Sequence, residues 1–110
     1  RDLPEPEVLR VADITLDRGS HRVTRSDEPI DLTPTEFDLL GILMNTPGRV
    51  YSRTDLLEHT QGVSYEGYDR TIDVHIKNLR KKIEPDPGDP RYIETVYGIG
   101  YRFTTGTKFS

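Results

Sequence analysis

The feature that most limits the fold is a change of hydrophobic period at residue 33. Upstream, apolar residues occur only in short alternating segments: VLRV at 8–11, ITLD at 14–17, HRVTR at 21–25 and PIDL at 29–32. DRGS and SDEP punctuate the last two gaps as turns. Alternation of this length marks half-buried strands, so residues 8–32 predict a small antiparallel sheet of four strands. Downstream, the apolar spacing becomes helical. Strands followed by helices read as an α+β chain.

Thr33-Pro34-Thr35-Glu36 is a strong helix start. Thr33 is the N-cap, Pro34 takes the first helical position and Glu36 completes a capping box. Phe37, Leu40 and Leu43 form the buried face, widened by Leu39 and Met44, and Asn45-Thr46-Pro47-Gly48 ends the helix. Val50 and Tyr51 form a short extended link. Ser52 then caps a second helix with Asp55 as its N3 acid, Tyr51 placed to staple onto Leu56, and an end near Thr60. QGVSYEGY at 61–68 is a glycine-bearing loop. A third helix runs from about Asp69 to Glu84 and is stopped by PDPGDP at 85–90. Two β-rich arms around a Gly-x-Gly tip, YIETVYGIGYRF at 92–103, read as a hairpin.

The third helix contains TIDVHIKNLRKKI, which concentrates cations in a chain of net charge −4. Ile72, Ile76, Leu79 and Ile83 share one stripe. Opposite fall Arg70, Asp73, Val74, Lys77, Asn78 and Lys81. Cations suit phosphates, an amide suits adenine, a carboxylate suits cytosine and an apolar group suits the thymine methyl. The plainer alternative is a basic amphipathic helix docked by its isoleucine face with its outer face merely solvated. Charge is uneven along the chain: of 15 Lys/Arg and 19 Asp/Glu, residues 1–46 hold five and ten. The overall acidity argues against a nonspecific nucleic-acid coat.

Other classes find little support. With no cysteine, disulfide frameworks and thiolate zinc sites are excluded, which fits a cytosolic protein. No apolar run suggests a membrane span and no signal-peptide pattern opens the chain. His21, His59 and His75 lack metal-site spacing, no nucleophile elbow occurs, and GIG is too short for a dinucleotide fingerprint. No enzyme activity and no cofactor are expected. The polar, proline-bearing RDLPEPE reads as a linker, giving a remnant at 1–7, a domain at 8–104 and a tail at 105–110.

The runs RVYSRTDLLEH, DRTIDVHIKNLRKKIEP and YIETVYGIGYRF resemble the C-terminal effector domain of OmpR/PhoB-family response regulators, bacterial transcription factors. The resemblance covers about residues 8–104. It implies a winged helix-turn-helix with an N-terminal four-stranded antiparallel sheet, three helices and a C-terminal β-hairpin wing. It further implies sequence-specific binding of double-stranded DNA, with helix 69–84 in the major groove and wing 92–103 in the minor groove. The matching recognition-helix positions are Arg70, Thr71, Asp73, Val74, His75, Lys77, Asn78 and Arg80, to which the helical wheel adds Lys81. Arg49 and Arg53, flanking a helix start, are candidate backbone contacts, and Tyr97 and Gly98 are candidate wing contacts. The implied partners are DNA with direct-repeat sites bound by a head-to-tail dimer, and RNA polymerase through Gln61, Val63, Tyr65 and Glu66. A sensor histidine kinase would act through a preceding receiver domain. Two departures stand out: the chain has no tryptophan near Thr60-Gln61-Gly62, and Tyr97 stands where many relatives place arginine. The rival is a winged helix that binds protein, RNA polymerase for example, without reading DNA.

Overall fold

The computed structural model describes residues 7–60 and 69–105, the side chains of 69–71 excepted. Strands β1 (Val8–Val11), β2 (Ile14–Asp17), β3 (Arg22–Arg25) and β4 (Glu28–Ile30) form an antiparallel meander in sequence order. Leu9 lies opposite Leu16, Leu16 opposite Val23, and Val23 opposite Ile30. This cross-strand row, joined by Val11 opposite Ile14, is the sheet's core-facing side. The two-residue link Ser26-Asp27 has φ of 50° and 70°, the positive pair that a tight hairpin requires.

Helix α1 (Pro34–Asn45) begins as its sequence dictates, with Thr33 and Glu36 exchanging both capping-box hydrogen bonds. Strand β5 (Tyr51–Ser52) follows, then α2 (Arg53–His59), where Ser52 and Asp55 form a second capping box. Tyr51 and Leu56, the expected staple pair, are both buried. Helix α3 (Asp69–Ile83) buries its apolar stripe almost completely, with Ile72, Ile76, Leu79 and Ile83 each at most 1% exposed. Each contributes about 1.5–3 kcal/mol of burial. Strands β6 (Ile93–Val96) and β7 (Gly100–Phe103) form the hairpin.

Two features differ from the sequence expectation. The link at Tyr51 is a strand: β5 pairs with β7, so the wing belongs to a three-stranded sheet of order β5-β7-β6. The fourth strand lies at 28–30 rather than 29–32, because the turn takes only two residues.

Long-range hydrogen bonds fix α3 against the rest. Arg25 of β3 donates to the Ile83 carbonyl at the helix C-terminus, where a cation complements the helix dipole. Lys82 Nζ meets the buried Glu36 carboxylate at 2.6 Å, tying the end of α3 to the start of α1. Glu84, itself buried, accepts backbone N–H groups of Arg91, Tyr92 and Ile93. That carboxylate folds the PDPGDP loop back and launches β6.

Candidate nucleic-acid interface

Because the isoleucine stripe is sunk in the core, the opposite side of α3 must face outward. Val74 is 54% exposed there, Lys77 and Lys81 are exposed, and Asn78 and His75 are half-buried. An apolar Val74 between cations gains nothing from water, and no described residue covers it. Arg70 and Thr71 stand in the first turn of α3, but their side chains lie outside the described residues. Gln61, Val63, Tyr65 and Glu66 also lie outside them.

Asp73 sits differently from its neighbours. Its Oδ1 accepts from Arg53 Nε at 2.7 Å and from the Tyr101 hydroxyl at 2.6 Å. The hydrogen bond to Asp73 raises the pKa of Arg53, and burial followed by the same carboxylate raises that of Tyr101. Arg80, one of the matching recognition-helix positions, is turned onto the wing. Its Nη2 donates to the Ile93 carbonyl at 2.7 Å and to Thr95 Oγ1 at 2.8 Å. The reason is chemical complementarity: β6 offers a carbonyl and a hydroxyl to a fork of donors, and the Tyr101 ring lies 5.5 Å beneath the guanidinium. Arg53 lies 5.7 Å from the same ring.

The wing tip completes the surface. Ile99 N–H bonds the Val96 carbonyl at 2.9 Å, and Gly98 has φ +81°, a conformation disfavoured for side-chain-bearing residues. Gly100 is required for another reason: a Cβ there would lie 2.0 Å from the Tyr51 carbonyl oxygen. Tyr97 is 89% and Ile99 56% exposed, so the tip presents two apolar side chains. Ile99 carries no chemical signal in the sequence beyond its place between the two glycines of GIG, which marks it as a tip residue. Arg49, exposed, lies over the Tyr51 ring at 5.0 Å. Among the described residues no cluster of three His, Cys, Asp or Glu could hold a metal, and no helix is long and apolar enough to cross a membrane.

Comparison with known proteins agrees with this geometry. Residues 27–103 match the family described as "Transcriptional regulatory protein, C terminal". The phosphate regulon transcriptional regulatory protein PhoB of Escherichia coli is 50% identical over 99 residues, which span 90% of this chain and 43% of PhoB. The chain thus spans less than half the length of the curated relatives it matches. Among solved structures, the response regulator DrrB of Thermotoga maritima, an OmpR/PhoB homologue, superposes with a TM-score of 0.80 at 36% identity. That match covers 89% of this chain and 44% of DrrB. The Klebsiella pneumoniae RstA DNA-binding domain, solved in complex with the RstA box, also gives 0.80, at 33% identity over 91% of this chain and 99% of that one.

Proposed function

Because this chain belongs to the OmpR/PhoB family of response regulators, as a C-terminal winged-helix DNA-binding effector domain, we propose that it reads specific sequences in double-stranded DNA to regulate transcription. Helix α3 enters the major groove and the wing tip lies in the adjacent minor groove. The observation that carries this reading is the exposed strip of α3, where Val74 stands uncovered among Lys77, Asn78 and Lys81. Lys77, Lys81 and Arg49 meet phosphates, with Arg70, Thr71 and His75 at the edges of the same contact. Asn78 pairs with adenine N6/N7 and Val74 touches a thymine methyl. Tyr97 and Gly98 run along the sugar walls. A protein-docking helix has little use for this mixture, and the comparisons do not favour that rival.

Two copies bind head to tail on direct repeats. In the full-length cytoplasmic protein a receiver domain, phosphorylated by a sensor histidine kinase, controls this pairing. The segment at 61–68, through Gln61, Val63, Tyr65 and Glu66, contacts RNA polymerase. Selection of bound sites from random duplex DNA tests the DNA-reading proposal. It should return direct repeats whose centres lie about one helical turn apart, roughly 10–11 bp. Uniformly inverted repeats, or single half-sites at saturation, would contradict it.

A further inference from the structure

Within the DNA-binding reading proposed above, on which this inference rests, we infer that Asp73 is a positioning residue that couples the wing to the recognition helix, and not a reader of bases. Its carboxylate stands on the outward half of α3, where cytosine recognition would be the obvious assignment. Yet one oxygen already holds two donors, Arg53 Nε and the Tyr101 hydroxyl, at 2.7 and 2.6 Å. Those two charge-assisted bonds hold the carboxylate in a fixed orientation toward α2 and the wing.

The connections continue beyond this carboxylate. Tyr101 belongs to β7, is only 6% exposed and has Arg53 and Arg80 over its ring at 5.7 and 5.5 Å. Arg80 then reaches β6 through the Ile93 carbonyl and Thr95 hydroxyl. The hairpin is therefore gripped by α3 at residues 73 and 80, two turns and about 10 Å apart along the helix axis. These grips add to the β5–β7 pairing and the Glu84 bond that already anchor the base of the hairpin. Two grips on different strands fix both the distance and the angle of the wing, so the register of α3 in the major groove dictates where Tyr97 and Ile99 fall. Arg53, the first residue of α2, brings that helix into the same arrangement.

Two variants separate this role from base reading. Asp73→Ala removes the acceptor, whereas Tyr101→Phe removes only the hydroxyl and keeps the ring under both arginines. Both should leave base preference within the half-site unchanged and weaken minor-groove protection of the flank several-fold in hydroxyl-radical footprints. The double variant should lose no more than the stronger single one, and Asp73→Asn, which still accepts hydrogen bonds, should recover much of the footprint. A cytosine preference lost at one position in Asp73→Ala, with flank protection intact, would overturn the inference. So would a full flank footprint in Tyr101→Phe.

Hydrogen exchange on the DNA-free proteins forms an independent arm. Wing amides of Tyr101→Phe should exchange about tenfold faster, the consequence of one lost charge-assisted bond. Unchanged exchange would defeat the coupling whatever DNA does. Faster exchange in a protein that selects no DNA sequence would leave the coupling standing and defeat the DNA-binding reading instead.

Discussion

Glu84 Oε2 accepts the backbone N–H of Ile93 at 2.9 Å, a side chain at the end of the recognition helix holding the first residue of the wing strand. The same buried carboxylate takes the N–H groups of Arg91 and Tyr92, so three donors converge on one charge. Glu84→Ala should destabilise the domain by about 3 kcal/mol, since buried N–H groups lose a charged acceptor. Glu84→Gln, which keeps one carbonyl oxygen, should cost less. Urea unfolding of the three proteins checks the order, and an alanine variant as stable as wild type would remove Glu84 from this role.

Acid sensitivity should centre on the link between the end of α3 and the start of α1, where Lys82 meets Glu36. Burial acts to raise the Glu36 carboxyl, but hydrogen bonds from Lys82 and Thr33 outweigh it and hold the group below its ordinary value. A depressed carboxyl stabilises the fold above its unfolded-state pKa, and that stabilisation disappears as pH falls through the lower folded-state value. Lys82→Met should therefore lower stability at neutral pH by about 1.5–3 kcal/mol and flatten the acid limb at and below the ordinary carboxylate range. Asp17 and Asp55 are also depressed, by backbone hydrogen bonds from Ser20 and Ser52. Hence the informative quantity is the difference between variant and wild-type urea midpoints at each pH.

Two wing glycines should respond differently to alanine. At Gly100 the new Cβ would collide with the Tyr51 carbonyl, so β5 must separate from β7. At Gly98 nothing lies within 4 Å, and the cost is conformational, about 1–2 kcal/mol for φ +81°. Thermal melts should rank Gly100→Ala well below Gly98→Ala. Equal melting points would show that the sheet accommodates the methyl.

The sequence disclosed the α3 stripe, both capping boxes and the four-strand meander because each depends on residues close in the chain. Helical spacing alone sets which way Ile72, Ile76, Leu79 and Ile83 face. Strand β5 was not legible as a strand: two residues have no period, and its partner, Gly100, lies far along the chain. Nor could a helical wheel show that Asp73 meets Arg53 and Tyr101, or that Arg80 grips Ile93 and Thr95. A wheel assigns direction, while partners follow from how α2, α3 and the wing pack. Of the candidate contacts, Val74, Lys77, Asn78, Lys81 and Tyr97 remain outward and available.

At the wing tip, Tyr97 brings no charge to the negative potential of a narrow A·T minor groove. Tyr97→Arg should tighten binding, steepen its salt dependence and create a preference for A·T-rich flanks. Titration of flank-varied duplexes over a salt series measures all three effects. The account of an apolar tip fails if wild type already separates A·T from G·C flanks as strongly as the arginine variant.

That the outward face of α3 reads bases is a claim Asn78 and Lys77 test side by side. Binding of Asn78→Ala, Lys77→Ala and wild type should be measured on the selected site and all its single-base variants across a salt series. Asn78→Ala should lose roughly 1–3 kcal/mol at one base position and little elsewhere. Lys77→Ala should weaken every sequence alike and reduce the salt slope by about one. A base-preference profile unchanged by Asn78→Ala would contradict the claim.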